Sequence, residues 1–223
     1  MKRPGPGALR LGVLASGSGS NLQAILDACA AGRIAAQVAV VVCNLPGAGA
    51  LDRARAASVP AVLLPHQGVP REAYDALLVA QLRRHEVDLV CLAGFMRILS
   101  PVLLGAFENK ILNIHPSLLP AFPGLHAVRQ ALTAGVRVSG CTVHLVDAGM
   151  DTGPVLVQAA VPVLDGDDEA ALAARILAQE HRCYPRAIGL WADGRLALEG
   201  RRVRARVAQG DPARTLASPE LAD

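Results

Sequence analysis

Two polar residues near the middle of the chain have the types and spacing that acid–base chemistry requires. Asn113 and His115 are two residues apart on a predicted strand, so their side chains project from the same face. At the carboxyl end of a strand, a carboxamide can stabilise a developing oxyanion while the imidazole transfers protons. His115 could equally be a buried histidine that hydrogen-bonds to the backbone. The spacing alone leaves both roles open.

A carboxylate in a second segment, residues 147–154, could act on that histidine. An aspartate in such a glycine-containing loop commonly accepts hydrogen bonds from the N–H groups of its own loop. If Asp151 instead folds against His115, it would stabilise the imidazolium form. The pattern does not decide between these two contacts.

Residues 16–21 form a third candidate site, because they follow a predicted strand and open a predicted helix. The N–H groups at a helix N-terminus bind anions, and small residues let a phosphate approach the backbone. The segment is not a dinucleotide fingerprint, since Leu22 stands where the third glycine would be, and it has no P-loop lysine. An ordinary capped helix after a tight turn is the alternative.

Short apolar runs alternate with helical patterns through the first half of the chain and predict a Rossmann-like, doubly wound α/β fold. Strands are predicted at residues 11–15, 38–43, 61–64, 88–93, 110–114, 136–146 and 154–163. Helices are predicted at residues 21–31, 48–57, 71–85, 125–134 and 167–183, the last with three acidic residues in its first turn. A hairpin is expected over residues 196–207, with Gly200 in its turn. The predicted sheet is mostly parallel, and helices flank it in a single domain.

The composition excludes several classes of protein. The chain has 223 residues, of which 52% are hydrophobic and 3% aromatic, with a formal net charge of +3. That content supports a full core and excludes intrinsic disorder, and the small charge does not require nucleic acid or a membrane as partner. The five cysteines are widely spaced and include no CxxC pair, so we expect reduced thiols, a cytoplasmic location and no metal.

Six stretches of the sequence together resemble the folate-dependent phosphoribosylglycinamide formyltransferase family. They are SGSGSNLQAIL (16–26), REAYDALL (71–78), LAGFMRILSP (92–101), ILNIHPSLLPAFPGLHAVRQAL (111–132), SGCTVHLVDAGMDTGPVLVQAAVPV (139–163) and QEHRCYPRAI (179–188). The resemblance implies a formyltransferase domain at residues 9–208, after an extension of residues 1–8 and before a disordered tail at 209–223. Within the domain it implies a phosphate-binding half at 9–110 and a catalytic, folate-binding half at 111–208.

The resemblance also implies roles for individual residues. The catalytic group would be Asn113, His115 and Asp151, with His144 as a supporting neighbour. Glycinamide ribonucleotide would bind to Gly19, Ser20, Asn21 and Glu180. The co-substrate 10-formyltetrahydrofolate would bind to Arg71, Met96, Arg97, Ile98, Leu99, Asn113, Asp147, Ala148, Gly149, Met150 and Asp151. Each position also has a plainer interpretation: Met96 and Leu99 as core, Arg71 as a solvated helix start, Glu180 as an exposed helix face.

Two places depart from the family pattern: Ser18 occupies a variable position of the phosphate loop, and Ala121 and Phe122 replace what is often a basic and aromatic pair. Contacts near Ala121 and Phe122 are therefore left open.

The implied activity is formyl transfer from 10-formyltetrahydrofolate to the amine of glycinamide ribonucleotide, in purine biosynthesis. The implied partners are small molecules, without nucleic acid, membrane or metal, and the protein is expected to be a monomer or homodimer. Three alternatives remain. A methionyl-tRNA formyltransferase would need a C-terminal nucleic-acid-binding domain, and a formyltetrahydrofolate hydrolase usually carries an N-terminal regulatory domain. The third is a non-catalytic nucleotide-binding module.

Overall fold

The computed structural model describes residues 7–207, in which seven strands form one central sheet. In chain order the strands are β1 (Leu9–Ala15), β2 (Ala36–Cys43), β3 (Ala61–Leu63), β4 (Leu89–Leu92), β5 (Ile111–His115), β6 (Val138–Leu145) and β7 (Val155–Pro162). Their order across the sheet is β3-β2-β1-β4-β5-β6-β7. The pairs from β3 to β5 are parallel, and β6 and β7 continue the sheet antiparallel. The predicted mostly parallel α/β sheet is confirmed.

Helices cover both faces of the sheet in these residues. They are α1 (Ser20–Ala30), α2 (Gly49–Ala56), α3 (Arg71–Arg84), α4 (Pro101–Ala106), α5 (Ala127–Thr133) and α6 (Glu169–Ala192). Side chains of β1 alternate between two cores: Val13 packs in the core shared with α1, α2, α5 and α6, and Leu14 in the core shared with α3 and α4. Because β1 is buried on both faces, its sequence is almost continuously apolar.

The long helix α6 differs from its prediction at both ends. It continues through Pro185 to Ala192, whereas the pattern predicted an end at residue 183. A proline normally interrupts a helix, but Pro185 is buried and the apolar face continues with Ile188. At the start, the side chain of Asp168 caps the helix by accepting from the N–H of Ala171, so only Glu169 of the three acidic residues lies in the first turn.

Two further elements complete the described fold. Helix α4 was not predicted, since its six residues are too few to show a helical period. The expected hairpin is present as β8 (Leu196–Glu199) and β9 (Arg202–Ala205), with Gly200 between them at φ 60°. The expected tail at 209–223 and most of the extension at 1–8 lie outside the described residues. No helix of residues 7–207 has both the length and the apolar character needed to cross a membrane.

The strand order creates a crevice at one edge of the sheet. The chain winds outward from β1 through β2 to β3 and then returns to place β4 on the other side of β1. At such a reversal, the connections after the two central strands run to opposite faces of the sheet and leave space for a ligand at the carboxyl ends of the strands. The first residues of the loops after β1 and β4 line this space side by side, since the N–H of Met96 donates to Ser16 Oγ at 2.9 Å. Candidate ligand-binding residues should therefore lie at this edge.

Candidate active site

The segment of residues 16–21, here called the glycine loop, leads from the end of β1 into the first two residues of α1 at the crevice. Gly19 lies immediately before α1 with φ 74°, and no side chain caps the helix. A Cβ atom on Gly19 would lie 2.7 Å from the Cα of Ala50 in α2, so only glycine fits. The first N–H groups of a helix have no partner within it, and here they are not taken by a side-chain cap. The local structure therefore suits an anion.

Asn21 and Glu180 are brought together by the fold from α1 and α6. The carboxamide nitrogen of Asn21 donates to Glu180 Oε2 at 2.7 Å, and both side chains are buried. Burial raises the pKa of Glu180, and the hydrogen bond from Asn21 opposes that rise. The plainer interpretation of Glu180 as an exposed helix face is therefore wrong.

Asn113 and His144 face each other across β5 and β6, and His115 follows on the same strand. The two residues form a cross-strand pair, with the Asn113 carboxamide nitrogen 3.2 Å from His144 Nε2. The other ring nitrogen of His144, Nδ1, is 2.8 Å from the carbonyl oxygen of Leu145. His144 is thus held on both sides, and it fixes the carboxamide of Asn113.

Asp151 lies between the two histidines. Its Oδ2 is 3.4 Å from His115 Nδ1, and its Oδ1 is 3.6 Å from His144 Nε2. The N–H of Gly124 also donates to Oδ2 at 2.8 Å. The close approach of His144, the Gly124 N–H and the neighbouring His115 imidazole lower the pKa of Asp151 to about 2, although burial opposes this. The carboxylate is therefore ionised at neutral pH and can stabilise a positive charge on His115.

Asp147, at the start of the same loop, has the more common kind of contact. Its Oδ1 accepts from the N–H of Gly149 at 3.0 Å and from the hydroxyl of Thr152 at 2.6 Å. Asp147 thus closes the loop of residues 147–153 on itself, while Asp151, with φ 54°, turns its side chain toward His115. The sequence left open whether Asp151 contacts its own loop or His115. In the structure Asp147 makes the contact within the loop, and Asp151 makes the contact with His115.

His115 is also held by the segment around Phe122, whose contacts the sequence left open. Its Nε2 is 2.8 Å from the carbonyl oxygen of Phe122, a residue with φ 53°. Both ring nitrogens therefore face oxygen acceptors, and only an imidazolium can donate to both. Since the contact is to the backbone, it does not depend on the side chain at position 122.

A cleft of about 130 Å³, the central cleft, opens between these residues and the loop after β4. Its lining contains most of the predicted folate-binding residues: Arg97, Ile98, Leu99, Asn113, Asp147, Ala148, Gly149, Met150 and Asp151. His144 and three residues that the sequence did not suggest, Leu92, Phe95 and Val146, complete it. These three were missed because apolar residues at strand ends carry no signal that separates a cleft wall from core.

Two predicted folate-binding residues do not line the central cleft. Arg71 is exposed at the first position of α3, and Met96 is 67% exposed. Arg97 does line it, and its guanidinium lies 4.5 Å from the ring centre of Tyr74 in a cation–π contact. Burial raises the pKa of Tyr74 to about 12 despite the opposing charge of Arg97. Within residues 7–207, no group of three or more acidic, histidine or cysteine side chains is placed to hold a metal ion.

Comparison with known proteins shows similarity to formyl transferases and to enzymes of purine biosynthesis. The family model described as formyl transferase matches residues 9–188. The chain is 48% identical to the phosphoribosylglycinamide formyltransferase of Escherichia coli (strain K12), covering 83% of this chain and 88% of that protein. It is 50% identical to the trifunctional purine biosynthetic protein adenosine-3 of Drosophila pseudoobscura pseudoobscura, over 84% of this chain, but it spans only 14% of that longer protein.

A solved structure is similar over nearly its whole length. Glycinamide ribonucleotide transformylase 1 from Symbiobacterium toebii superposes with a TM-score of 0.88 at 58% identity, covering 90% of this chain and 95% of that one.

Proposed function

This chain belongs to the formyl transferase family, and on that basis we propose that it transfers the formyl group of 10-formyltetrahydrofolate to the amine of N1-(5-phospho-D-ribosyl)glycinamide. The products are formylglycinamide ribonucleotide and tetrahydrofolate, and the reaction is a step of de novo purine biosynthesis. The single observation that carries the proposal is the position of Asp151 between His115 and His144, beside Asn113 and the central cleft. The glycine loop opens on the same edge of the sheet and suits the substrate phosphate.

The chemistry requires stabilisation of one oxyanion and movement of one proton. The neutral amine attacks the formyl carbon and gives a tetrahedral intermediate. Asn113 donates a hydrogen bond to its oxyanion, where preorganised donors lower the barrier most. Protonated His115 donates the second when its Nε2–H turns from the Phe122 carbonyl, which it contacts at 2.8 Å, to the oxyanion. Asp151 stabilises the imidazolium form of His115 and holds a water that relays the amine proton to the leaving nitrogen.

The other predicted residues bind and orient the two substrates. The N–H groups of Gly19, Ser20 and Asn21 bind the phosphate, and Glu180 contacts the ribose or glycinamide end. The formyl donor occupies the central cleft between Arg97–Leu99 and the loop of residues 147–153. Arg71 and Met96 lie outside that lining, so we assign them at most to the outer part of the folate molecule.

The function is tested by following 10-formyltetrahydrofolate with and without glycinamide ribonucleotide. We expect the folate to be consumed only when the amine is present, with one formylated product for each folate released. Consumption without the amine would identify a hydrolase instead. A protein that binds the substrates and consumes no folate in either mixture would be a non-catalytic binding module.

A further inference from the structure

Helix α2 lies directly against the glycine loop. The N–H of Ala50 donates to the carbonyl oxygen of Gly17 at 3.1 Å. The close approach at Gly19, where a Cβ would lie 2.7 Å from the Cα of Ala50, shows that loop and helix touch through their backbones. The position of the loop is therefore set by α2 as well as by β1 and α1.

Arg53, one turn further along α2, makes a second bridge to the loop. Its Nε donates to the carbonyl oxygen of Ser18 at 2.8 Å. Its Nη1 donates to Gln23 Oε1 on α1 at 3.1 Å. The rigid fork of the guanidinium thus connects α2, the glycine loop and α1 through one side chain.

These contacts fix the direction of the N–H groups in the loop. In a trans peptide the carbonyl and the N–H of the next residue point in opposite directions. The carbonyls of Gly17 and Ser18 are both held toward α2, so the N–H groups of Ser18 and Gly19 point away from it. Arg53 therefore aims the Gly19 amide outward.

The charge of Arg53 also acts on the space beside the loop. A lateral cleft of about 350 Å³ adjoins Ser20, and its lining is Ser20, Gln23, Ala24, Asp27, Arg33, Arg53 and His181. Asp27 accepts a hydrogen bond from Gln23 at 2.8 Å. Burial lowers the pKa of His181, and the positive charge of Arg53 lowers it further. A lasting positive charge beside the start of α1 adds to the field of the helix N-terminus.

We propose that Arg53 is a positioning residue for the phosphate of the substrate. It holds the Ser18 carbonyl so that the N–H of Gly19 faces the phosphate, and it adds a positive charge beside the N–H groups of residues 19–21. The inference rests on the proposed function only in that residues 19–21 bind a phosphate. Arg53 does not touch the reacting atoms.

Binding of ribose 5-phosphate and of ribose, measured by titration calorimetry, tests this directly. We expect Arg53→Ala to weaken binding of ribose 5-phosphate about tenfold, as for the loss of a charged hydrogen bond, and to leave any binding of ribose unchanged. Arg53→Lys keeps the positive charge but loses the forked guanidinium, so its affinity for ribose 5-phosphate should lie between those of the wild type and Arg53→Ala. The matched control is Arg55→Ala, since Arg55 lies on the same helix, is exposed and pairs with Asp52 at 2.8 Å. Arg55→Ala should bind ribose 5-phosphate as tightly as the wild type does.

Kinetics separate positioning from general damage. With Arg53→Ala, KM for glycinamide ribonucleotide should rise about tenfold while kcat and KM for the folate stay within about twofold. A purely structural role would lower Tm and change all three constants together. If Arg53→Ala does not fold, Arg53→Lys decides: binding of ribose 5-phosphate as tight as in the wild type would overturn the proposal.

The outcomes also separate this inference from the proposed function. A wild-type protein that binds ribose 5-phosphate, depends on Arg53 for it and transfers no formyl group would refute only the function. Formyl transfer by a folded Arg53→Ala protein with unchanged phosphate binding would refute only the role of Arg53. Failure of the wild type to bind ribose 5-phosphate would also overturn that role.

Discussion

At the scale of single residues, the ionised state of Asp151 determines what the site can do. The residue adopts a left-handed backbone conformation with φ 54°, which places its carboxylate among two imidazoles and the N–H of Gly124. Asparagine tolerates this conformation better than most residues. Asp151→Asn therefore removes the charge while the loop can keep its path.

We predict that Asp151→Asn and His115→Ala each lower kcat about 100-fold or more, because each removes a participant in proton transfer. KM for both substrates should change only a few-fold, since the glycine loop and the other residues that line the central cleft remain. Steady-state kinetics of the purified variants give both constants. Asp165→Asn is the control, because Asp165 is exposed and pairs with Arg137 away from the cleft. Near-normal turnover in both site variants would contradict the assigned roles.

At the scale of elements, one buried hydroxyl links α6 to two strands of the sheet. Tyr184 is fully buried, and its hydroxyl is 3.0 Å from the carbonyl oxygens of both Leu92 and Leu112. Burial raises the pKa of Tyr184 well above its ordinary value, so the group stays protonated and can donate. Glu180 lies one helical turn earlier on α6, so the orientation of its side chain depends on how Tyr184 holds the helix against the sheet.

We predict that Tyr184→Phe lowers the free energy of unfolding by about 1–2 kcal/mol, because it leaves buried carbonyls without their donor. It should also raise KM for glycinamide ribonucleotide about two- to fivefold through Glu180, an effect of less than about 1 kcal/mol. Urea unfolding and steady-state kinetics measure the two effects.

Tyr74→Phe is the matched control for this variant. Tyr74 is also fully buried, and its hydroxyl donates to the carbonyl oxygen of Leu64 at 2.9 Å in the core on the other face of the sheet. It should lose similar stability with no change in that KM. Equal kinetic effects of the two variants would show that Tyr184 acts on stability alone.

At the scale of the whole molecule, Asp151 connects several parts of the fold through its charge. Its partners come from β5, from β6 and from the segment around Gly124, which are distant in sequence. Acid should therefore weaken the molecule as a whole as well as the reaction. The pKa of this carboxyl is about 2 in the folded protein against an ordinary 3.8, and these two values set the pH range over which its stabilising effect is lost.

We predict that Asp151 contributes about 2 kcal/mol to stability above about pH 4, and that this contribution disappears as the pH falls toward 2. The sign follows because the unfolded chain takes up the proton first, so protonation favours unfolding. Urea unfolding at several pH values should show the wild type more stable than Asp151→Asn at neutral pH, with the difference shrinking in acid. A difference that stays constant with pH would contradict this account.

The sequence by itself determined the fold class and the parts of the site that depend on local pattern. Apolar runs at β1, β2 and β4 predicted a parallel sheet, because strands buried on both faces leave little room for polar residues. The spacing of Asn113 and His115 placed both on one face of β5, since strand side chains alternate. The start of α1 after the glycine loop was predictable because small residues there precede apolar residues at helical spacing. Whether these residues act as assigned stays a prediction for the kinetics above.

The tertiary structure alone decided which distant residues meet. Asp147 and Asp151 lie in one loop, and nothing in their spacing indicates that Asp147 closes the loop while Asp151 reaches His115. The continuation of α6 through Pro185 depends on burial against the sheet, which local propensity does not contain. The contact of Arg53 with Ser18 joins α2 to a loop 35 residues earlier. Local pattern follows from the geometry of neighbouring residues, whereas these contacts follow from how whole elements pack, so only the folded chain reveals them.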